Sequence, residues 1–420
     1  MQREQIVFVG TSDLSGHFRG KSFPAADLPA RLLRGVGLAP TNIFISAFGP
    51  IQMTTFGTQG EVFLIPDRET RVFVPFEGGV AEYFFLGDIK TPDGAPWDFC
   101  PRHILRRAIE RLQRETGLRL LATFEQEFIY SGVAAHPWQP YALDAYRRHG
   151  PLGEVLLAAM RQVGVIPDSF LSEFGLQQFE VTCAPALGVR AADDAVITRE
   201  LAQAVAFRLG HRVSFNPIPE PSGTGNGTHI HFSFLDEHEQ PVLYDEKRPW
   251  QLSLVGSQFV AGIQHHLPAL CAVTAPSVAS YYRLRPNRWA PVQADVGLAD
   301  RGAALRICPS VGSDPGHRAR QLNAEFRVAD ATASPYLVLA MLVQAGLDGI
   351  RQQREIELKS PRPLPHSLAA ALKLLEISEC AADWLGADFL SAYVLFKEAE
   401  IKGLENLDEG EICRRYAEVY

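Results

Sequence analysis

The chain has 420 residues, of which 40 are Lys or Arg and 48 are Asp or Glu, so its formal net charge is −8, and 46% of the residues are hydrophobic. These proportions exclude a disordered chain and a fibrous repeat. The mild acidity argues against a protein that wraps nucleic acid or an anionic membrane surface, because such partners favour clustered Lys and Arg. A chain of this length usually divides into two or so domains, since single cores stop growing near roughly 250–300 residues.

Signals for a membrane span or for secretion are missing from the sequence. The longest wholly apolar run, Tyr336 to Val343, has about eight residues, whereas a bilayer span needs ~20. The N-terminus lacks the basic start, the long apolar segment and the small-residue cleavage site of a secretory signal. Six cysteines occur without C-x-x-C spacing, so we expect reduced thiols in a cytoplasmic protein.

The first part of the chain is rich in strand signals. Short β-prone runs are separated by Gly, Pro and Asp turns, at Ile6–Val9, Asn42–Ser46, Val62–Ile65 and Arg71–Pro75. A linker, Thr91–Phe99, leads into an amphipathic helix that Gly117 ends. Beyond that helix, strands and helices alternate, and the final ~80 residues are mostly helical. We therefore predict a small sheet domain over residues 1–95 and a larger α+β catalytic domain over residues 96–420.

Carboxylates occur at alternate positions of the strand predicted after Gly117. Period-two alternation places Glu125 and Glu127 on one face of that strand and two phenylalanines on the other. A later β-like run adds Glu173 in a turn and Glu180 on a strand. A solvated strand face would account for each pair taken alone, so these carboxylates indicate a site only if the fold brings them together.

A glycine-rich loop, Gly223–Thr228, runs directly into a strand that carries His229, His231 and Ser233 on one side and apolar residues on the other. Because the loop leads into a strand, it lacks the helix N-terminus with which P-loops and dinucleotide-binding loops hold phosphate. A His-x-His pair on a strand is compatible with metal ligation, with core histidines or with the pair of a zinc hydrolase.

Arginines and one further glutamate follow in the second half of the chain. Arg283 precedes a proline-bounded loop, and Arg301 and Arg306 belong to one short segment. Glu325 and Arg327 share a predicted strand face. Each piece alone is typical of a surface strand. Together, at least four predicted strands present charged or imidazole groups at alternate positions while their other faces are apolar.

If these strand faces line one cavity, their carboxylates repel one another and their pKa values rise unless cations hold them. The five carboxylates are Glu125, Glu127, Glu173, Glu180 and Glu325. Oxygen-rich sites with one imidazole favour Mg²⁺ or Mn²⁺ over a soft-ligand zinc site. Arginines beside such metals suit a substrate carboxylate or phosphoryl oxygens. Carboxylate-held metals and arginines, without an evident covalent nucleophile, indicate phosphoryl transfer by positioning and charge neutralisation.

The order of these motifs resembles that of the glutamine synthetase family over nearly the whole chain. The motifs that carry the resemblance are Phe124–Phe128 (FEQEF), Glu173–Glu180 (EFGLQQFE), Gly225–Ser233 (GNGTHIHFS), Ser280–Arg283 (SYYR), Asp300–Arg306 (DRGAALR), Glu325–Arg327 (EFR) and Ala333–Leu337 (ASPYL). The resemblance implies an α+β fold with an N-terminal β-grasp domain, followed by a catalytic domain with a curved antiparallel β-sheet, of the glutamine synthetase and guanido kinase type, flanked by helices. It also implies a ligase that uses ATP to phosphorylate the γ-carboxylate of glutamate and then joins the acyl group to an amine.

The resemblance further implies roles for individual residues. One metal ion would be held by Glu127, Glu173 and Glu180, and a second by Glu125, His229 and Glu325. Contacts with glutamate fall on Gly225, Arg283 and Arg327, and contacts with phosphate fall on Arg301 and Arg306. His231 and Ser233 fall where the family binds nucleotide. The residues expected to act on the reacting groups are Glu125, His229, Arg301 and Glu325.

Departures from the family pattern concern mainly the second substrate. Ammonia-using members carry a Glu, which helps to hold and deprotonate ammonium, where this chain has Trp289. The segment Thr41–Gln59, in the region where a neighbouring subunit of the family supplies an Asp, contains no charged residue. Because ammonium would lose hydration there without a counter-charge, we expect an organic amine that contacts Trp289. Glu220 and Asn323 stand where the family often has a lysine and an arginine.

Three alternatives stay open on the sequence alone. They are an ammonia-using glutamine synthetase, a metal-dependent amidohydrolase suggested by His229 and His231, and a catalytically degenerate family member suggested by Trp289 and Glu220. An amidohydrolase would need further histidines in strand patterns, which the remaining histidines do not provide. The resemblance also implies small-molecule substrates, no nucleic acid or membrane partner, and a homo-oligomeric ring, such as a dodecamer, with active sites between subunits.

Overall fold

The computed structural model describes residues 3–51, 56–77, 79–134 and 140–420. Within these residues, a first sheet contains β1 (Ile6–Ser12), β2 (Phe18–Pro24), β3 (Val36–Leu38), β4 (Val62–Pro66), β5 (Val72–Val74) and β6 (Glu82–Lys90). The strand order is β2-β1-β6-β4-β3, and β5 also pairs with β6. Strands β1 and β6 are parallel, and the other neighbours are antiparallel. One helix, α1 (Leu28–Arg34), connects β2 to β3.

Three of the four strands predicted for this region are confirmed, and one prediction is wrong. Most of the segment predicted as a strand, Asn42–Ser46, belongs to a 3₁₀-helical turn, Pro40–Phe44. Pro40 occupies the first position of that turn, where its fixed φ and missing N–H are tolerated. The N–H of Asn42 donates to the carbonyl oxygen of Ala39 at 2.9 Å. The apolar side chains of this segment are therefore buried by a turn, which a short apolar run does not distinguish from a strand.

A second sheet carries the strands on which the sequence placed the charged residues. Its described strands are β7 (Arg119–Tyr130), β8 (Pro167–Ser172), β9 (Gln178–Cys183), β10 (Ala186–Leu187), β11 (Val213–Ser214), β12 (Thr228–Leu235), β13 (Val296–Leu298), β14 (Leu305–Cys308) and β15 (Asn323–Phe326). The order is β13-β14-β15-β12-β7-β9-β8, and β10 and β11 pair with β7. The sheet is antiparallel as predicted, except that β13 and β14 run parallel.

Helices cover the sheets and form the C-terminal part of the chain. They are α2 (Pro101–Thr116), α3 (Leu143–Arg148), α4 (Leu152–Gln162), α5 (Val189–Arg208), α6 (Leu254–Thr274), α7 (Ser280–Arg283), α8 (Pro315–Gln321), α9 (Pro335–Arg351), α10 (Leu368–Glu376), α11 (Ala381–Leu385), α12 (Ala387–Leu404) and α13 (Glu409–Val419). Gly117 ends α2 with φ of 73°, which confirms its predicted role as a left-handed helix terminus. No helix in the described part of the chain combines the length and the apolar character needed to cross a bilayer.

One apolar core extends from the first sheet through α2, α6 and α9 to the second sheet. Helix α5 packs on one face of β7, where the side-chain amide of Gln126 donates to the carbonyl oxygen of Ala195 on α5 at 2.8 Å. The other face of β7, which carries Glu125 and Glu127, is half-buried along its length. The α+β class is confirmed. The predicted boundary at residue 95 lies between β6 and α2 and stays a prediction.

A buried arginine joins the two sheets through the helices between them. Arg102 on α2 binds Asp193 on α5 with two hydrogen bonds of 2.9 and 2.8 Å, and it also binds Asp88 on β6 at 2.9 Å and Asp67 at 2.8 Å. The hydroxyl of Tyr336 on α9 donates to Asp193 at 2.7 Å. Because Arg102 and Asp193 are both almost fully buried, removing the guanidinium leaves a buried carboxylate without its counter-charge.

We expect Arg102→Leu to lower the free energy of unfolding by about 3–5 kcal/mol, the range found when one partner of a buried ion pair is removed. Arg107→Ala, on the same helix, is the matched control because its ion pair with Asp98 is exposed and 3.5 Å long. That control should cost less than about 1 kcal/mol. Urea unfolding of the two variants measures the difference, and equal effects would show that Arg102 does not hold the sheets together.

Candidate active site

A cavity of about 640 Å³ opens on the half-buried face of the second sheet. It is bounded by strands β7, β8, β9, β12 and β14, by the glycine loop before β12, and by the loops that follow α7, β13 and β15. The predicted site residues that line it are Glu125, Glu127, Glu173, Glu180, Gly225, His229, Arg283, Trp289, Arg301, Arg306 and Arg327. Glu325, His231 and Ser233 do not line it. The fold therefore brings most of the predicted residues to one place.

Strand register explains how the acidic residues meet the histidine. In the antiparallel pair β7 and β12, Glu125 stands opposite His229. In the pair β7 and β9, Glu127 stands opposite Glu180. Side chains directly opposite each other on one sheet face are close neighbours, and the alternation read from the sequence places all four on the cavity face.

The first cluster of potential metal ligands contains Glu125, His229 and Glu325, and one ligand atom from each lies within 4.8 Å of the other two. His229 Nδ1 is 3.4 Å from Glu125 Oε2 and 3.7 Å from Glu325 Oε1. Glu325 is buried on β15, where it stands opposite His231 on the same face of the sheet. These are the three residues that the sequence assigned to one metal ion.

The second cluster contains Glu127, Glu180 and His229, again with ligand atoms within 4.8 Å of one another. His229 Nε2 is 3.8 Å from Glu127 Oε1. Among the described residues, Glu173 does not belong to either cluster. Its carboxylate accepts hydrogen bonds from the hydroxyl of Tyr141 at 2.7 Å and from the N–H of Phe174 at 3.0 Å. Glu173 lines the same cavity as Glu127 and Glu180, and its grouping with them around one metal ion stays a prediction.

The carboxylates of the cavity repel one another. Burial raises the pKa of Glu127. Burial, followed by the charges of Glu125, Glu127 and Glu173, raises the pKa of Glu180 well above its ordinary value. Burial also opposes ionisation of Glu125, but hydrogen bonds with His229 and His231 hold the pKa of Glu125 below its ordinary value. The acidic pair Glu127 and Glu180 therefore lacks sufficient counter-charge from the protein.

A divalent cation fits this donor set. The two clusters supply carboxylate oxygens and a single imidazole, His229, that lies between them. Mg²⁺ and Mn²⁺ prefer oxygen ligands of this kind, and a cation would offset the repulsion that raises the pKa values of Glu127 and Glu180.

Two buried arginines line the cavity. Arg283 donates to the backbone carbonyl oxygens of Val328 and, at 2.8 Å, Ala329. Arg327 pairs with Glu325. Within the described residues, the Nε–H groups of both arginines have no partner although they are buried. Unpaired buried donors on a guanidinium suit a carboxylate or a phosphate.

Gly225 allows the glycine loop to approach Arg283. A Cβ at position 225 would lie 2.4 Å from Arg283 Cγ and 3.0 Å from the carbonyl oxygen of Pro217. The loop is also tied to the acidic cluster, because the N–H of Gly227 donates to Glu127 Oε2 at 2.7 Å. The side-chain amide of Gln178 donates to the carbonyl oxygen of Gly225 at 2.8 Å. The glycine loop is therefore fixed between Arg283 and Glu127.

The remaining predicted residues contact the acidic clusters, follow them along β12 or lie at the cavity edge. Arg301 is exposed at the edge, whereas Arg306 binds Glu325 Oε2 at 2.8 Å. His231 Nε2 is 3.0 Å from Glu125 Oε1, and its Nδ1 is 2.8 Å from Asn323 Oδ1. Ser233 follows on the same face of β12.

Trp289 holds an unusual backbone conformation at the cavity edge. Its φ is 56°, in the left-handed region that bulky side chains rarely adopt. Its ring is 73% exposed, and the ring centroid lies 6.3 Å from that of Phe174. The preceding residue, Arg288, donates to the carbonyl oxygens of Gly223 at 2.9 Å and Pro221 at 2.5 Å, so it ties the Trp289 loop to the glycine loop.

Sequence reasoning missed several residues that line the cavity. These are Tyr141, Asp168, Ser169, Leu171, Phe174, Gln178, Thr182, Thr224, Arg288 and Ala290. Asp168 and Ser169 reach the cavity because the pairing of β8 with β9 shifts register between Pro167 and Phe170. A bulge has no clear sequence signal. Phe174 and Gln178, by contrast, lie inside a motif already singled out and could have been found there.

Two family models match the chain. The N-terminal domain of glutamine synthetase matches residues 1–97, and the catalytic domain of glutamine synthetase matches residues 98–415. The chain belongs to the glutamine synthetase family. The resemblance that the motifs indicated is thereby confirmed, together with the fold that it implied.

Several relatives are similar along almost their whole length. The γ-glutamylpolyamine synthetase of Streptomyces coelicolor is 31% identical over 436 aligned positions, gaps included, and the alignment covers 98% of this chain and 92% of that protein. A glutamate–isopropylamine ligase from a Pseudomonas species is 26% identical over 451 residues, covering 98% of this chain and 95% of that protein. A crystal structure described as a novel glutamine synthase homolog superposes with a TM-score of 0.95 at 39% identity, covering 100% of this chain and 99% of that one.

Members of the glutamine synthetase family are ATP-dependent ligases that form carbon–nitrogen bonds, and the family uses ATP and divalent metal ions. The chain is accordingly an ATP-dependent carbon–nitrogen ligase that acts on small molecules. This assignment removes the support for an amidohydrolase, which rested on His229 and His231 alone.

Proposed function

We propose that the chain uses ATP to phosphorylate the γ-carboxylate of L-glutamate and then transfers the acyl group to an organic amine. The observation that supports the organic amine best is the pair of exposed aromatic rings, Trp289 and Phe174, at the cavity edge. The two relatives named above, a γ-glutamylpolyamine synthetase and a glutamate–isopropylamine ligase, support the same class of acceptor.

The first step requires that the γ-carboxylate meets the terminal phosphoryl group of ATP. When divalent ions are bound, they neutralise the charge that develops on the phosphoryl oxygens. We assign their ligands to two groups that share His229, namely Glu127 with Glu180 and Glu125 with Glu325. Arg301 and Arg306 bind the phosphate oxygens, and His231 and Ser233 contact the nucleotide.

The acid substrate is bound at the other side of the acidic clusters. We assign its carboxylate to the guanidinium groups of Arg283 and Arg327, with the backbone at Gly225 closing the subsite. A planar guanidinium can bind a carboxylate through two parallel hydrogen bonds. This arrangement would hold the amino acid part of glutamate while its γ-carboxylate faces the metal ligands.

In the second step the amine displaces phosphate from the acyl phosphate. The amine nitrogen forms the bond to carbon, the carbon–oxygen bond to phosphate breaks, and the amine loses a proton. Trp289 cannot accept that proton. We assign this role to Glu173, which is adjacent to Phe174 and is oriented by the hydroxyl of Tyr141 at 2.7 Å. The carbon substituent of the amine would contact the rings of Phe174 and Trp289. This contact would remove apolar surface of both the substituent and the rings from water.

Active sites between subunits of a ring remain part of the proposal. The segment Thr41–Gln59 would face the acceptor of a neighbouring subunit and contains no charged residue. Residues 52–55 of this segment lie outside the described residues. An uncharged wall on that side would favour an acceptor with an apolar substituent over ammonium.

Phosphate release from ATP tests the proposed function. The assay contains Mg²⁺ or Mn²⁺, L-glutamate and one acceptor at a time, namely ammonium, alkyl amines, polyamines, ethanolamine or anilines. We expect release that depends on glutamate and is stimulated by one organic amine much more than by ammonium. Release without glutamate would contradict the acid substrate, and preferred use of ammonium would contradict the acceptor.

Gly225→Ala should lower kcat/KM for glutamate by about 10²-fold, the loss that a displacement near 1 Å produces in a binding site. The added methyl group would push Arg283 away, because it would lie 2.4 Å from Arg283 Cγ. Gly223→Ala is the control, since its nearest neighbour is the flexible side chain of Glu220, with Cγ at 3.0 Å. Steady-state kinetics at saturating ATP measure kcat/KM for glutamate, and equal values for the two variants would remove Arg283 from the glutamate subsite.

A further inference from the structure

A second set of ligands, of softer chemistry, lies beside the acidic clusters. His231, Cys308 and Glu325 come from the neighbouring strands β12, β14 and β15, and one ligand atom from each lies within 4.8 Å of the other two. Cys308 and Glu325 are buried, and His231 is half-buried. We propose that these three residues bind a thiophilic divalent cation of the Zn²⁺ class, through which such a cation inhibits the enzyme.

The distances are close to those of a tetrahedral zinc site. Cys308 Sγ is 3.8 Å from His231 Nδ1 and 3.7 Å from Glu325 Oε2. Zn–S and Zn–N bonds of about 2.3 and 2.0 Å, meeting at a tetrahedral angle, place sulfur and nitrogen about 3.5 Å apart. A thiolate with an imidazole favours Zn²⁺ over Mg²⁺ or Mn²⁺, which prefer oxygen ligands. The set therefore differs in metal preference from the clusters around His229.

The surroundings of His231 also resemble those of a metal-bound imidazole. Its Nε2 is 3.0 Å from Glu125 Oε1, so a proton on Nε2 would leave Nδ1 free to bind the cation. Histidines that ligate metals commonly donate their other ring N–H to a carboxylate in this way. The carboxamide oxygen of Asn323, 2.8 Å from Nδ1, must move when the cation enters.

Glu325 links this site to the proposed catalytic ions. Its Oε1 faces His229 at 3.7 Å, whereas its Oε2 faces Cys308 and also accepts a hydrogen bond from Arg306 at 2.8 Å. A cation bound at Oε2 would displace Arg306. Inhibition by Zn²⁺ follows from that displacement and rests on the proposed role of Arg306 in phosphate binding, whereas binding of the cation does not depend on the proposed function.

Cobalt titration of the full chain in excess Mg²⁺ tests the site directly. Co²⁺ bound to a thiolate gives a charge-transfer absorption band that oxygen and nitrogen ligands do not give. We expect the band to saturate at one Co²⁺ per chain in the wild type and to be lost in Cys308→Ser. Cys183→Ser is the matched control, because Cys183 is another buried strand cysteine, on β9, and contacts Thr198. Persistence of the band in Cys308→Ser would overturn the proposal.

A measurement on the unmodified protein keeps the test independent of folding of the variant. Crystals exposed to Zn²⁺ in excess Mg²⁺ should show anomalous scattering at the zinc edge about 2.3 Å from Cys308 Sγ. Anomalous density only between Glu127, Glu180 and His229, or none, would contradict the site.

Inhibition assays test the effect of the cation on the enzyme. Cys308→Ser should keep its activity in Mg²⁺ alone. It should need at least about tenfold more Zn²⁺ than the wild type for inhibition, since even indirect partners of a metal change its affinity by 10–100-fold. Equal inhibition of both proteins would overturn the inhibitory role.

Discussion

Glu180→Gln should abolish ligase activity, with a fall in kcat of about 10³-fold or more, because it removes charge from the group of metal ligands that we propose for Glu180, Glu127 and His229. Loss of a single element of electrostatic stabilisation in a closed site lowers kcat by about 10²–10³-fold. Weaker binding of a metal ion removes more than one such contact. Phosphate release with glutamate and the preferred amine measures the effect. Activity within tenfold of the wild type would exclude Glu180 as a metal ligand.

The same variant should be more stable than the wild type when metal is absent. Burial and neighbouring carboxylates raise the pKa of Glu180 above its ordinary value of 4.5. A raised pKa in the folded state means that the charged form of Glu180 destabilises the fold. The resulting loss in the free energy of unfolding is absent below about pH 4.5 and grows as the pH rises toward the pKa in the folded protein. In thermal unfolding at pH 7 with a chelator, Glu180→Gln should therefore have a higher Tm than the wild type.

Excess Mg²⁺ or Mn²⁺ should reverse that order, because a cation that binds only the folded wild type stabilises it by mass action. Asp168→Asn serves as the control, since Asp168 also lines the cavity but belongs to no described ligand cluster. Its stability should respond to metal as the wild type does. The same order of stability for Glu180→Gln with and without metal would contradict the charge repulsion described for this cavity.

Trp289→Glu should shift acceptor use toward ammonium. The substitution removes an apolar ring at the cavity edge and adds the carboxylate that the motif resemblance implies for ammonia-using members at this position. We expect the ratio of kcat/KM for the preferred amine to that for ammonium to fall by at least about tenfold, since a few apolar contacts in a pocket discriminate by about 10–200-fold. Kinetics with the two acceptors under identical conditions give the ratio.

Trp289→Phe is the matched control for this change. A phenyl ring retains an apolar contact with Phe174, which lies 6.3 Å from the indole, and adds no charge. The backbone strain at φ of 56° is common to all three side chains, so it does not account for a difference between them. The control should keep most of the preference for the organic amine. An unchanged ratio in Trp289→Glu would show that Trp289 does not select the acceptor.

Strand periodicity was sufficient to predict the central part of the site. Alternation along β7 and β12 placed Glu125, Glu127 and His229 on one face, and the structure has them on the cavity side with apolar side chains behind. The order of the motifs was sufficient to predict the family. Both signals are strong because they depend on side-chain period and on residue types that few other sites need together.

Loop conformation and strand pairing account for what the sequence could not predict. The orientation of the Glu173 carboxylate depends on a hydrogen bond from the hydroxyl of Tyr141, which is 32 residues distant in the chain. The inward position of Asp168 depends on a register shift in β8. Contacts between distant segments leave no local pattern, and the turn at Pro40–Phe44 shows that a short apolar run does not specify its backbone conformation.

A competition experiment tests most directly whether the acceptor is an organic amine. The enzyme is given ATP, Mg²⁺ and L-glutamate with equal concentrations of ammonium and a mixture of alkyl amines, polyamines, ethanolamine and anilines, and the products are identified by mass spectrometry. We expect one γ-glutamyl amide of an organic amine to dominate and glutamine to be a minor product. Glutamine as the main product would rule out an organic amine as the preferred acceptor.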